Sequence, residues 1–311
     1  MSFDVHPGET LGLVGESGCG KSVTALSIVR LVDEPPGRTE PGSQVVFRGE
    51  DLVGADPRRL RRIRGAGIGF VFQEPMTSLN PVHRVGRQIE EALRAHEDVP
   101  ARAARARALD MLARVELPDP LRAARAYPHE LSGGMRQRAL IAMAMVCRPA
   151  LLIADEPTTA LDVTVQARVL TLLRSLQEEM GLALLLISHD LAVVSRVAGR
   201  AAVMYAGQIV EMGPVGRVLG DPRHPYTEGL LRAIPSVDRP DRGLAVIPGR
   251  VPDPEAWPEG CRFHPRCPYA WERCAAESPP FDGDAPGGSS RCWLETEPRR
   301  REGRGYAEIG A

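Results

Sequence analysis

Lysine is almost absent from this chain. Of 39 basic residues, every one except Lys21 is arginine. The 40 acidic residues balance them to a formal net charge of −1, which excludes a general electrostatic pull toward nucleic acid or an anionic membrane. Long apolar runs are missing too. The nearest, Ala139 to Ala154, is broken by Arg148-Pro149 and falls short of the ~18–20 residues a membrane helix needs. No basic stretch followed by an apolar one opens the chain, so no signal peptide is expected. These absences predict a soluble, cytosolic protein that reaches a membrane only through a partner. The arginines alternate with alanine in Ala101–Arg107, which reads as a solvated helix face rather than a binding patch.

The single lysine stands in Gly15-Glu16-Ser17-Gly18-Cys19-Gly20-Lys21-Ser22. The pattern G-x-x-x-x-G-K-[ST] is a phosphate-binding loop. Its glycines let successive backbone N–H groups turn inward around an anion. Lysine is a compact charge that can reach β- and γ-phosphates, and the Ser22 hydroxyl can ligate Mg²⁺. The context fits: Thr10–Val14 reads as a short buried strand, and Lys21–Leu31 as a helix with Val23, Leu26, Ile28 and Val29 on its apolar side.

Further strands are expected at Gln44–Phe47, Ile68–Phe72, Ala150–Ala154 and Leu182–Ile187, with a hairpin of Ala201–Tyr205 and Gln208–Glu211 around Ala206-Gly207. Helices are expected at Ser132–Val146, Val163–Met180 and Leu191–Val197. From about Glu74 to Arg138 strand signals vanish and Arg/Ala/Leu/Glu helices take over, which marks a helical insert. The alternation elsewhere implies a mainly parallel α/β sheet with helices on both faces. After about Ala233 the chain becomes dense in Pro and Gly, too loop-rich to hold a large apolar core without a staple.

Several residues carry chemistry at predicted strand ends. Leu151–Asp155-Glu156 is an apolar strand ending in two acids, where Asp155 can hold Mg²⁺ through water and Glu156 can polarise the attacking water. Gln73 closes another strand and can touch the metal or the water. His189 follows a third and is a candidate sensor of the γ-phosphate. Leu131-Ser132-Gly133-Gly134-Met135-Arg136-Gln137 places a serine N-cap before an exposed helix start, a second anion site. Two anion sites far apart suggest two subunits that complete each other's nucleotide sites.

Taken in order, these motifs resemble the ATPase subunits of ABC transporters over residues 1–232. The resemblance implies a P-loop NTPase (RecA-like) core, a helical subdomain at about 74–138 and a C-terminal extension at 233–311. It implies ATP and Mg²⁺ as ligands, held by Gly15, Glu16, Ser17, Gly18, Cys19, Gly20, Lys21, Ser22 and Val23, with Ser22, Gln73 and Asp155 on the metal. Glu156 is then the general base, His189 positions the γ-phosphate, and Ala160-Leu161-Asp162 is the D-loop. Ser132, Gly133, Gly134 and Gln137 contact ATP across a dimer.

A narrower resemblance joins Phe72–Pro81, His224–Leu231 and Gly260–Tyr269 to the peptide/nickel importer group, and to the first of its two paired ATPases. It implies a second ATPase subunit in a heterodimer, two membrane permease subunits, an extracytoplasmic solute-binding protein and a peripheral location on the cytoplasmic face of the membrane. Peptides, nickel chelates and glutathione-like solutes all fit the group. A non-transport ABC ATPase acting on nucleic acid or ribosomes usually carries two cassettes, coiled-coil insertions or a basic surface, none of which is read here. Relatives also place two strands and an adenine-stacking aromatic before the phosphate loop. Here only Met1–Glu9 precede the strand that leads into the loop, which implies an upstream start or a shortened protein.

Of six cysteines, Cys19 and Cys147 are expected simply to pack. Cys261, Cys267, Cys274 and Cys292 cluster in the last fifth of the chain, which argues in a reducing compartment for metal or cluster ligation over disulfides. Their C-x₅-C-x₆-C-x₁₇-C spacing is not that of a zinc ribbon, whereas a [4Fe–4S] cluster tolerates it. The dipeptide-type resemblance also implies a cluster, which some of those ATPases carry, with zinc as the alternative metal and His264 as an alternative ligand.

Overall fold

The computed structural model describes residues 1–73, 78–159, 161–234, 244–283, 285, 287–302, 305–306 and 308–309. Its strands are β1 (Thr10–Val14), β2 (Val46–Phe47), β3 (Glu50–Asp51), β4 (Ile68–Val71), β5 (Leu151–Asp155), β6 (Ala183–Ser188), β7 (Arg200–Tyr205), β8 (Gln208–Pro214), β9 (Leu244–Ala245), β10 (Ser289–Ser290) and β11 (Glu308–Ile309). Its α-helices are α1 (Lys21–Ile28), α2 (Pro57–Ile63), α3 (Val85–Arg94), α4 (Ala101–Arg114), α5 (Pro120–Arg125), α6 (Gly133–Met145), α7 (Val163–Met180), α8 (Leu191–Ser195), α9 (Val215–Gly220), α10 (Pro225–Arg232) and α11 (Glu272–Ala276). The chain divides into two compact units. One comprises Met1–Asp4, Thr10–Lys21 and Ser188–Ala311, the other Val5–Glu9 and Ser22–Ile187.

In the first unit β1 is buried along its whole length, as its run Leu11–Val14 without a polar side chain requires. It pairs parallel with β7 in the register Leu11↔Arg200 to Val14↔Val203. β7 turns back into β8 through Ala206 and Gly207, both at positive φ, the conformation a two-residue hairpin turn demands. β10 adds antiparallel to β8. The core of this unit is aromatic. Tyr205 from β7, Tyr226 from α10 and Phe263 from the Pro/Gly-rich tail are each fully buried, with ring centroids 4.8 to 5.4 Å apart. The loop-rich tail thus contributes a ring to this core.

The second unit holds the parallel strands β4, β5 and β6, with Ile68↔Leu151 and Leu151↔Ala183 in register. Helices α3 to α6 pack on one another. On α3 the buried residues Val85, Ile89 and Leu93 recur every four positions and make one apolar face. On α4 Ala104, Ala108, Met111 and Leu112 are buried, while Arg102 and Arg105 are exposed, as expected of a solvated arginine face. Asp119, Ser132 and Asp162 cap α5, α6 and α7 by accepting backbone N–H bonds. Gly181, at φ 63°, closes the 18-residue α7.

The differences from expectation lie at element ends. Helix α1 stops at Ile28 because Arg30 turns left-handed and the Leu31 N–H closes on the Leu26 carbonyl. Val23, expected on its apolar side, is 57% exposed, and Ala25 is buried instead. Phe72 lies beyond β4 and is exposed, Gln44 and Val45 stay outside the two-residue β2, and α8 ends at Ser195. Cys19 is buried and Cys147 half-buried, and burial pushes the Cys147 thiol up to about 11. Among the described residues no helix is long and apolar enough to cross a membrane.

Candidate functional site

The phosphate loop begins where β1 ends. A Cβ on Gly15 would stand 2.2 Å from the Met204 carbonyl oxygen and 2.8 Å from Cys19 Sγ, so only glycine fits. Gly18 and Gly20 adopt φ 81° and 106°, which turns the intervening backbone into an open bend. Ser17 and Gly18 are exposed at its rim, while Lys21 is buried at its base. The Lys21 ammonium donates to the Gly15 carbonyl at 2.8 Å and to the Glu16 carbonyl at 3.0 Å. From the hairpin turn, the Gly207 N–H donates to the Cys19 carbonyl at 2.9 Å. Burial pushes the Cys19 thiol up, with the nearby Lys21 charge opposing, so this sulfur is a packing group.

Glu16 is tied more closely than the motif alone requires. Its N–H donates to the Tyr226 hydroxyl at 2.8 Å. Its carboxylate accepts a forked pair from Arg266, at 3.0 and 3.2 Å. In the same unit, His189 follows β6 as an exposed side chain, and the Asp190 carboxylate caps α8 through the Ala192 N–H at 2.7 Å.

In the second unit, β5 delivers Asp155, buried at the strand end, and then Glu156. Glu156 turns to φ 46° as its N–H donates to the Ile187 carbonyl at 3.0 Å. Its Oε2 accepts from the Thr159 hydroxyl at 2.8 Å and from Gln73 Nε2 at 3.4 Å. The Gln73 contact follows from register. Val71 pairs with Ala154, so residues two positions past each strand partner emerge side by side.

Ser132 and Gly133 are exposed at the start of α6, where Ser132 Oγ accepts the Met135 N–H at 3.3 Å. A Cβ on Gly134 would meet Val165 Cγ1 at 2.6 Å, which holds α6 close to the first turn of α7. Gln137 is buried inside α6, and its Nε2 has no hydrogen-bond partner among the described residues. Asp162 caps α7 through the Val165 N–H at 2.9 Å. Ser22 and Val23 lie in the first turn of α1. Ala160 of the expected D-loop and Glu74–Thr77 of the Phe72–Pro81 stretch lie outside the described residues.

Cys261, Cys267, Cys274 and Cys292 line one pocket together with His264. Phe263, Tyr269, Trp271 and Trp293 supply much of its wall. Burial pushes the thiols up, Cys261 to about 11 and Cys292 to about 12. Among the described residues no group of three or more His, Cys, Asp or Glu side chains is set to hold a metal ion.

Three contributors were not expected from the motifs. Thr159 sits in the Pro157-Thr158-Thr159 run after the paired acids, so its signal was its position. Tyr226 and Arg266 belong to the His224–Leu231 and Gly260–Tyr269 stretches, which were read only as marks of resemblance.

The ABC transporter family model matches residues 1–159, and the model "Oligopeptide/dipeptide transporter, C-terminal region" matches residues 210–274. An ATP-binding protein of Brucella abortus (strain 2308), provisionally named for peptide import, is 53% identical over 292 residues, covering 94% of this chain and 87% of that protein. A similarly named protein of Brucella melitensis biotype 1 is 53% identical over 304 residues, covering 94% and 90%. Among solved structures, an ATP-binding cassette in a dimeric post-hydrolysis state bound to ADP and phosphate matches with TM-score 0.61 and 29% identity, over 68% of this chain and 88% of that one. The cbiO1 protein of Clostridium perfringens, part of an ABC transporter complex, matches with TM-score 0.62 and 25% identity, over 71% and 83%. With its phosphate loop, its strand-end acids and a family match over half its length, the chain belongs to the ABC transporter family, as an ATP-binding, ATP-hydrolysing subunit with the P-loop α/β fold.

Proposed function

We propose that this ATPase powers import of peptides, and that its hydrolytic centre is Glu156. The observation that carries the catalytic assignment is the Glu156 carboxylate, held between the Thr159 hydroxyl and the Gln73 amide directly after the buried Asp155. A carboxylate so fixed can take a proton from water without first reorganising. Lys21 rests on two loop carbonyls and exchanges them for phosphate oxygens when ATP enters. Ser22, Gln73 and Asp155 supply the hard oxygen ligands that suit Mg²⁺, which neutralises charge on the β- and γ-phosphates when bound. The helix start at Ser132 and Gly133, exposed, with Gly134 behind it, suits the γ-phosphate of ATP on a second ATPase subunit, and His189 suits the same phosphate on its own subunit.

Peptide cargo is supported by the names of the Brucella relatives and by the match to the oligopeptide/dipeptide C-terminal region. With that reading come two permease subunits, a paired ATPase and a solute-binding protein, and a peripheral place on the cytoplasmic face of the membrane. The boundary near residue 232 between ATPase core and extension belongs to the same proposal. So does a [4Fe–4S] cluster on the four cysteines, supported by their facing one pocket.

The test is Glu156→Gln in the assembled transporter. Phosphate release should fall at least a hundredfold, ATP-bound ATPase dimers should accumulate, and uptake of labelled peptide should stop. Unchanged turnover would remove Glu156 from its role, and hydrolysis indifferent to peptide would remove the cargo assignment.

A further inference from the structure

We propose that Arg266 is a positioning residue for ATP binding: it neutralises and anchors Glu16, so the C-terminal segment sets the charge and posture of the phosphate loop. This rests on the reading of Gly15–Ser22 as the ATP site. Glu16 occupies a position that the phosphate-loop pattern leaves open. An acid there is electrostatically adverse, because it places a negative charge in a loop that must receive phosphates. The structure shows how that charge is answered. Arg266 meets the Glu16 carboxylate with both terminal nitrogens, at 3.0 and 3.2 Å.

The pair is not a loose surface contact. The Arg266 side chain is 7% exposed and that of Glu16 is 29% exposed. Arg266 Nε donates to the Pro248 carbonyl at 2.7 Å, which fixes the plane of the guanidinium before it reaches Glu16. All three polar groups of Glu16 are then engaged. Its N–H goes to Tyr226, its carbonyl accepts from Lys21, and its carboxylate is held by Arg266. The Lys21 ammonium therefore rests on a carbonyl whose position the C-terminal segment determines. Arg266 ends the short turn His264–Arg266, and Cys267 follows it into the wall of the cysteine pocket. The anchor of the phosphate loop and the wall of that pocket are one piece of chain.

The charge account has a signature that a purely structural role lacks. Replacing Arg266 with a neutral residue of similar volume exposes the Glu16 charge to bound phosphates, and removing that charge as well should repair the loss. Titration of the full-length protein with a fluorescent ATP analogue reads both. Arg266→Met should raise Kd about tenfold, or about 1.4 kcal/mol. The defect should shrink at high salt, where charges are screened. Adding Glu16→Gln to Arg266→Met should return Kd to within about threefold of wild type. Lys21→Ala keeps the two readings apart, because it should abolish binding whatever Arg266 does. If Lys21→Ala binds like wild type, the ATP-site reading fails. If Lys21→Ala fails to bind but Arg266→Met binds normally, or Glu16→Gln rescues nothing, the Arg266 proposal is overturned. Should Arg266→Met not fold, Arg266→Gln with and without Glu16→Gln applies the same test.

Discussion

The Thr159 hydroxyl donates to Glu156 Oε2 at 2.8 Å, three residues along the chain from the carboxylate it holds. The contact closes the turn that follows β5 and aims a side chain whose backbone is already left-handed. Thr159→Val keeps the shape and removes the donor. ATP turnover should then fall about fivefold to tenfold with little change in KM, since the base is still present but less well aimed. Steady-state phosphate release checks this, and an unchanged kcat would show that Gln73 alone suffices.

Glu211 is fully buried on β8 and accepts from the Arg217 guanidinium, from the Arg223 N–H at 2.9 Å and from the His224 N–H at 2.9 Å. Arg217→Met removes the cation and strands a buried carboxylate. Unfolding free energy in urea should drop by about 3–5 kcal/mol. A loss under 1 kcal/mol would mean that the backbone donors carry the carboxylate by themselves.

His224 caps α10 through its Nδ1, which accepts the Tyr226 N–H at 3.1 Å. Burial, with the Arg301 and Arg291 charges adding to it, holds the imidazole down to about 3. Between that value and the ordinary value near 6.5, the unfolded chain binds a proton that the folded chain refuses. Its contribution is therefore fully present above about pH 6.5 and is lost as pH falls, at about 1.4 kcal/mol per pH unit down to about pH 3. His224→Asn keeps a capping oxygen and does not titrate. Denaturant titrations at pH 7, 6 and 5 should show a shallower loss for the variant, and parallel losses would refute the assignment.

The cysteine pocket yields a prediction that can be seen by eye. Protein purified without oxygen should be brown and carry about four irons per chain, bleaching in air, if the cluster is present. Because burial holds the thiols protonated, loading should release protons and strengthen as pH rises. Cys267→Ser should lower the iron content and the melting temperature together. A colourless protein with one zinc per chain would replace the cluster reading.

Much of the site was legible where chemistry is local. The phosphate loop, the paired acids and the serine cap are short contiguous patterns, and their strands and helices showed the expected periods. Strand β1, helix α7 and the β7–β8 hairpin appeared within a few residues of their expected bounds. The misses came where a partner lies far along the chain or where an end is set by one backbone angle. Val23 read as apolar core, yet it is exposed, because a helix of only eight residues buries a single narrow face and Ala25 holds it. The four cysteines were read together and do line one pocket, but the pattern carried no information about the distances between their sulfurs.

By itself the sequence determined the chemistry of the phosphate loop: one lysine in a chain of arginines, set among glycines that only a close-approaching backbone requires. Spacing and side-chain type suffice for that, since the turn and its anion site are built from eight consecutive residues. Only the tertiary structure decided what holds the loop in place. Tyr226 and Arg266 lie 210 and 250 residues from Glu16. They reach it because the β7–β8 hairpin, α10 and the tail fold onto one aromatic core beside β1. Such long-range partners are selected by burial and charge pairing in three dimensions, for which the linear order of residues holds no marker.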